Sequence, residues 1–317
     1  MINDPSYSIA DFKNVKIRVD ELKHRSDDIK SRLSTSLKKL WNPERTLRTV
    51  SPNVDFENFR LRFPQFEEVI DFYQNSVITL ERLDLPFEAP PVLLQGDPGL
   101  GKTYFASELA KLLNLPFFEI SLATTTASFS LSGGNIQWSE GSTGFICDTL
   151  AKSEAANPLI LIDEIDKSSQ ETKYNPLNVF YGLLESHSAK RFRDEALEFE
   201  LDASKIIWIA TGNVMHNIPA PIQSRMRIFE IRQPDTTSMQ PVVKSIYRHV
   251  VDNKAYGKLL DTALDDAVVN HLSKQSPRAV KLAIEEGAFK AIRHHRSTIH
   301  SSDLPAVEKE KNRVGFL

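Results

Sequence analysis

Cysteine is almost absent: the 317 residues contain one, Cys147. A lone cysteine makes no intrachain disulfide and no cysteine-rich zinc site. Long apolar runs are missing too. No stretch approaches the roughly 20 residues needed to cross a bilayer. The start, Met1–Ser8, lacks the basic segment and apolar run of a secretory leader. Neither charge sign dominates, with 39 Lys+Arg against 42 Asp+Glu and a net charge of -3. Attachment to nucleic acid or membrane by bulk positive charge is therefore excluded, while a local basic stripe stays open. A soluble, cytoplasmic protein is the expectation. What is present is ordinary for a globular chain with a sizeable core, at 41% hydrophobic and 26% charged. The length allows about two domains, or one large domain with an appendage.

The charge is unevenly spread. Met1 to Arg48 carries eleven Lys/Arg and seven Asp/Glu, an excess of +4, which leaves -7 for the remainder. Apolar residues at Phe12, Val15, Val19, Leu22, Ile29, Leu33 and Leu40, with Ser26 and Ser36 in the gaps, step by threes and fours. That is a heptad seam with two polar interruptions. No proline or glycine intervenes from Ile9 to Leu40, so one long helix is predicted, about 45 Å at roughly 1.5 Å per residue. Its seam faces either its own body or a coiled-coil partner. A polar, proline-bounded linker is expected from Thr46 to Pro64, then a second helix from about Phe66 to Leu83. After Ala89-Pro90-Pro91, short apolar runs alternate with helical stretches: Val92–Gln95, Phe117–Leu122, Leu159–Ile162, Ile206–Ala210 and Ile228–Ile231. Such near-continuous runs between helices indicate a parallel sheet covered on both faces. Beyond Gln233-Pro234 the pattern is purely helical. The expected division is a helical extension (1–55), an α/β core (56–234), an all-α lid (235–305) and a solvated tail (306–317).

The strongest chemical signal is Gly96-Asp97-Pro98-Gly99-Leu100-Gly101-Lys102-Thr103, a full G-x-x-x-x-G-K-[ST] between a strand and a helix. Its glycines let successive N–H groups turn toward phosphate oxygens, and the helix N-terminus adds partial positive charge. Lys102 would reach the β- and γ-phosphates, and Thr103 would place its hydroxyl on Mg²⁺. With Tyr104 next in the chain, these residues are the expected ATP contacts. About sixty residues on, Leu159–Ile162 ends in Asp163-Glu164, which puts two carboxylates at the sheet edge where ligands bind. Asp163 is expected to hold Mg²⁺, and Glu164 to orient and deprotonate the water attacking the γ-phosphate. Asp166 and Lys167 are expected at the surface or in oligomer contacts. A further strand ends in Ala210-Thr211-Gly212-Asn213. Asparagine after a strand commonly makes a turn, but its place after the Asp163-Glu164 strand suits a bond to the attacking water or the γ-phosphate.

These features together resemble an AAA+ ATPase: a P-loop NTPase with a doubly wound parallel sheet and a small all-α lid. Asp163–Ser169, Asn175-Pro176, Leu183-Leu184-Glu185, Ala210–Asn213 and Asn217–Met226 resemble the ATPase module of Lon proteases, over roughly Pro91 to Pro305. The resemblance implies that Arg225 is an arginine finger reaching a neighbouring subunit's nucleotide, with Arg227 the nearby competitor. It implies that Arg278, in Ser276-Pro277-Arg278, contacts the phosphates of its own subunit and couples lid angle to nucleotide state. It implies that Trp138 grips polypeptide in a central pore, although Ser139 replaces the family's aliphatic partner. Ordinary packing is the other reading of Trp138. A finger that works in trans implies a ring, most naturally a hexamer, acting on a protein substrate or serving a separate effector. A nucleic-acid-directed AAA+ protein is the alternative, resting on the basic excess before Arg48. A Lon protease continues into a serine–lysine peptidase domain. This chain ends twelve residues after Pro305, so peptidase activity is not expected of it.

Overall fold

The structure, a computed structural model, describes residues 4–51, 53–138, 141–168 and 174–305. Ser139, Ser169 and the tail 306–317 lie outside the described residues. The chain divides into two compact units. The first comprises Met1–Asp55, Glu68–Gly96 and Lys102–Glu230, and the second Phe56–Glu67, Asp97–Gly101 and Ile231–Leu317.

The first unit opens with β1 (Ser6–Ser8), α1 (Phe12–Leu22), α2 (Asp27–Leu40) and β2 (Glu44–Thr46), which pairs antiparallel with β1. One continuous helix from Ile9 to Leu40 is therefore not what forms. The chain breaks after Leu22 and restarts at Asp27. Ser26 adopts extended backbone before the new helix, and Asp27 and Asp28 place negative charge at its positive end. The seam faces the unit's own body, since Val15, Leu22, Leu33 and Leu40 are buried in its main core. α2 packs on the helix Phe145–Lys152, and the Ser36 hydroxyl donates to Asp148 at 2.7 Å. The polar gap in the seam is thus an anchor.

Next come α3 (Phe56–Arg62), a part of the second unit where the sequence reads as linker, and α4 (Glu67–Arg82). Phe56, Phe59, Phe63 and Phe66 around α3 are buried; aromatic spacing, hidden by the polar residues between, makes this segment fold. The core proper follows: β3 (Val92–Gln95), α5 (Lys102–Leu112), β4 (Phe117–Ser121), α6 (Phe129–Ser132), α7 (Phe145–Lys152) and β5 (Leu159–Asp163). Then come α8 (Leu177–Leu183), α9 (Ser186–Ala189), the short hairpin β6 (Phe192–Arg193) and β7 (Glu200–Leu201), β8 (Ile207–Gly212), α10 (Ala220–Gln223) and β9 (Arg227–Glu230).

Five strands form one parallel sheet in the order β4-β5-β8-β3-β9. They match the five predicted runs within two residues. Leu159, Ile160, Leu161 and Ile162 are all fully buried, as a strand covered on both faces requires. The order has a functional consequence. Because β8 lies between β5 and β3, the carboxyl ends of these three strands adjoin, and ligands of open α/β sheets bind at such an edge.

The described elements of the second unit after β9 are helical, with α11 (Thr236–Asn253), α12 (Asp266–Leu272) and α13 (Pro277–Arg293). α11 packs on α13 and α3 around Met239, Val243, Tyr247, Leu272 and Ile284. The Ser276 hydroxyl accepts the Ala279 N–H at 3.4 Å, and Pro277 opens α13. Val280, Ala283, Ile284, Gly287, Ala288 and Ala291 then recur at three- and four-residue steps on its buried face. No described helix is long and apolar enough to cross a membrane.

Candidate functional site

The phosphate loop leaves the carboxyl end of β3, where the Gly96 N–H donates to the Gly212 carbonyl of β8 at 3.1 Å. Gly99 and Gly101 have φ of +87° and +85°, the left-handed region that glycine enters without steric cost. The loop is divided between the two units: Gly96, Lys102 and Thr103 belong to the first and Asp97–Gly101 to the second.

In the first unit Lys102 starts α5 and is only 7% exposed. A buried ammonium needs acceptors, and Nζ donates to the Gly96 carbonyl at 2.7 Å and to Asn213 Oδ1 at 2.8 Å. An ammonium has no acceptor to offer. Asn213 must therefore present its oxygen to Lys102, which leaves its NH₂ to point elsewhere. The Thr103 hydroxyl donates to Asp163 Oδ1 at 2.9 Å. Lys102 and Thr103 thus meet the two strand-end residues singled out in the sequence. Among the described residues no cluster of three or more His, Cys, Asp or Glu side chains is placed to hold a metal alone. One hydroxyl beside one carboxylate is nonetheless a set of oxygen donors that would suit Mg²⁺.

Glu164 sits in the left-handed region at φ +54°, and its N–H donates to Thr211 Oγ1 at 2.9 Å. No hydrogen bond or ion pair engages its carboxylate among the described residues. Asp166 corrects the surface expectation. It is 3% exposed and accepts the N–H groups of Asn213 and Val214 at 3.1 and 3.2 Å. Sequence reasoning missed it because the N–H groups it satisfies lie 47 and 48 positions along the chain. Nearby on β4, burial and the charge of Asp163 hold the Glu119 carboxyl above its ordinary range.

In the second unit the loop is held by its own neighbours. Gln65 Nε2 donates to the Leu100 carbonyl at 3.1 Å, and the Arg278 N–H donates to the Gly99 carbonyl at 3.3 Å. A Cβ placed on Gly99 would lie 3.4 Å from Arg278 Cβ. Arg278 therefore lies against the loop.

The two candidate fingers differ in surroundings. Arg225 Nη2 pairs with Glu185 Oε1 at 2.7 Å, Nη1 donates to the Pro221 carbonyl, and the guanidinium lies 5.9 Å from the Tyr181 ring centre. Arg227 lies on β9 opposite Val92, with its guanidinium 4.7 and 5.2 Å from the ring centres of Phe72 and Phe229. Both precede or open β9 at the end of the sheet where β3 begins. The carboxyl end of β3, at Gln95, is the opposite end of that strand.

Trp138 is 51% exposed, which separates it from a core packing role. Its ring meets Phe129 edge-on at 6.5 Å, and Phe129 meets Tyr174 at 6.3 Å. Phe129 and Tyr174 are exposed too, and isolated aromatics gave no sequence signal of this grouping. Arg32 of α2 fastens the loop by donating to the carbonyls of Trp138 at 3.0 Å and Gly141 at 2.7 Å. At its base, Asp194 Oδ2 accepts the Gly144 N–H at 2.8 Å. Burial pushes the Asp194 carboxyl up to about 6. Tyr104, on the outer face of α5, is 39% exposed.

Comparison with known proteins agrees with this architecture. Residues 92–233 match the family described as ATPase family associated with various cellular activities (AAA). The Lon protease of Mycoplasma mobile is 27% identical over 279 residues, covering 86% of this chain and 32% of that protein. The chain thus spans about a third of that curated relative. Among solved structures, Hsp104 in a closed state with ATPγS and FITC casein aligns with a TM-score of 0.62 at 14% identity, over 75% of this chain and 47% of that one. The Holliday junction branch migration motor RuvB of Thermotoga maritima aligns at 0.52 and 15%, over 75% and 66%. At such identities the likeness is one of fold.

Proposed function

Because the chain contains an AAA+ module similar to that of Lon proteases, we propose that it binds ATP with Mg²⁺, hydrolyses it, and works as a ring on protein substrates. The observation that carries the nucleotide reading is the convergence of Lys102 on Asn213 and of Thr103 on Asp163. In this reading residues 96–104 bind the phosphates through backbone N–H groups and Lys102. Thr103 and Asp163 hold Mg²⁺, which when bound offsets the charge of the β- and γ-phosphate oxygens. The Glu164 carboxylate orients water and takes its proton as the water's oxygen attacks the γ-phosphorus and the bond to the β-phosphate oxygen breaks. The Asn213 NH₂ donates to that water or to a γ-oxygen. Arg278 sets a guanidinium beside the loop at Gly99. Arg225 serves a neighbouring protomer's nucleotide, so turnover requires assembly.

The fold likenesses do not choose a substrate, since Hsp104 was seen with casein and RuvB is a Holliday junction motor. Two observations favour polypeptide. The exposed aromatic group at Trp138 grips apolar side chains without sequence preference. Five of the extension's eleven Lys/Arg side chains, Arg18, Lys23, Lys30, Arg32 and Arg48, are already held in ion pairs and are not free for a polyanion. The test is ATP turnover of wild type and Glu164→Gln, alone and with an unfolded protein or single-stranded DNA. Wild type turns over and is stimulated by the unfolded protein, while Glu164→Gln retains nucleotide and is slowed by about 10²-fold or more. Equal turnover of the two proteins removes the assignment of Glu164. Stimulation by DNA alone, falling steeply with salt, removes the polypeptide reading.

A further inference from the structure

Two buried polar side chains beside the phosphate loop belong to none of the roles above: Asp166 and Thr211, 3% and 2% exposed. Buried polar groups are kept where they are satisfied, and the partners of these two have a common theme. Asp166 lies in the single helical turn Ile165–Lys167 that follows β5. Its two carboxylate oxygens accept the N–H groups of Asn213 and Val214. These are the first two N–H groups beyond the end of β8 at Gly212. The corner after β5 thereby holds the main chain that carries Asn213.

Thr211 acts in the reverse direction. From β8 its hydroxyl donates to Asp163 Oδ1 at 2.5 Å and accepts the Glu164 N–H at 2.9 Å. Glu164 has φ +54°, a conformation that a non-glycine residue keeps when its surroundings over-determine it. Each strand end therefore holds the other: β8 fixes the Asp163-Glu164 corner through Thr211, and that corner fixes Asn213 through Asp166.

We infer that Thr211 and Asp166 form a reciprocal brace that makes Glu164 and Asn213 one rigid unit, and that both are positioning residues for γ-phosphate cleavage. The inference rests on the roles given to Glu164 and Asn213 under the proposed function. It separates binding from turnover. The phosphate contacts of Lys102 and the loop survive without the brace. The geometry of attack does not, and a misplacement of about 1 Å costs on the order of 10²-fold in rate.

The experiment compares Thr211→Val, which keeps the shape and loses the hydroxyl, with Thr211→Ser, which restores it. Asp166→Asn, Asn213→Ala and their double variant complete the set, with Glu164→Gln as control. Steady-state ATP turnover, equilibrium binding of a fluorescent ATP analogue and thermal melting are measured for each. Thr211→Val and Asp166→Asn are expected to lower kcat about 10- to 100-fold with analogue Kd within about 3-fold of wild type. Thr211→Ser recovers most of the loss. The double variant is no slower than Asn213→Ala, because Asp166 acts through Asn213. If Asp166→Asn does not fold, the Thr211 pair decides. The brace is overturned if Thr211→Val turns over as wild type, if Kd rises in proportion as kcat falls, or if the Asp166 and Asn213 effects multiply. Wild-type turnover by Glu164→Gln overturns the underlying catalytic reading, and the brace with it. An inactive Glu164→Gln beside a fully active Thr211→Val overturns the brace alone.

Discussion

Replacement of Arg225 by alanine tests the requirement for a neighbouring protomer. In the single chain Arg225 is already occupied, by Glu185 at 2.7 Å and the Tyr181 ring at 5.9 Å. A partly exposed ion pair contributes about 0.2–1 kcal/mol, and a cation over an exposed ring about 0.5–1 kcal/mol. Releasing Arg225 therefore costs on the order of 1–2 kcal/mol. A guanidinium placed on a developing γ-phosphate charge increases rate by about 10³–10⁵-fold, or roughly 4–7 kcal/mol at 1.36 kcal/mol per decade. The gain in trans exceeds the cost of release, so Arg225→Ala is expected to fold normally, bind nucleotide and lose about 10³-fold or more in kcat. Mixing supplies the decisive assay. Arg225→Ala has an intact phosphate loop, and Lys102→Ala has an intact finger. In randomly mixed rings about a quarter of the interfaces combine the two intact parts. Turnover of the mixture should rise toward that fraction although each protein alone is inactive. Full activity of Arg225→Ala, or co-assembled mixed rings with no recovery, refutes action in trans. If Arg225→Ala stays active while Arg227→Ala fails and is rescued by mixing, the finger is Arg227.

Two other outcomes are expected. Trp138→Ala should abolish the rise in turnover caused by an unfolded protein substrate; stimulation at the wild-type level refutes a gripping role. In the second unit, two hydrogen bonds from Arg296, at 2.7 and 2.8 Å, hold the Asp303 carboxyl down at about 2, below the ordinary range near 4, with the His300 N–H adding to the effect. A carboxyl depressed in the folded state contributes stability above its unfolded value and loses it as pH falls through its folded one. The melting temperature of wild type should exceed that of Asp303→Asn at pH 5 and fall toward it as pH drops to about 2. Melting curves that stay parallel over that range refute the linkage.

The parallel sheet was legible because β5 and β8 are apolar on both faces and β3 runs straight into a phosphate loop. The same physics made the residues at the carboxyl ends of those strands readable as a site. Three features were not legible. The break between α1 and α2 contains no proline or glycine, and a heptad pattern continues across it; the acidic pair Asp27-Asp28 was the only local sign of a restart. In and just after α3, four buried phenylalanines sit among charged and polar residues, and composition averages them away. Asp166 and Thr211 serve main-chain and side-chain groups 47 and 48 positions distant, and no local pattern announces a partner so remote. Periodicity reports which face is buried, whereas hydrogen-bond satisfaction depends on strand order.

The same distinction changes what the first fifty residues are. Counted as charges, they are a basic appendage suited to a polyanion. Followed to their partners, they are part of the first unit. Arg18 is buried and donates to the Ala196 carbonyl at 2.8 Å while pairing with Glu21. Arg32 donates to two carbonyls of the Trp138 loop, and Ser36 reaches Asp148 on α7. Ile9, Val15, Leu33 and Leu40 are buried in the same core as Ile160 and Trp208 of the sheet. Stripping the extension away would uncover that apolar surface and free the aromatic loop of its cationic fastener. A partner that displaced α2 would act on the same loop, because the carbonyl of Trp138 is one of the groups that α2 holds.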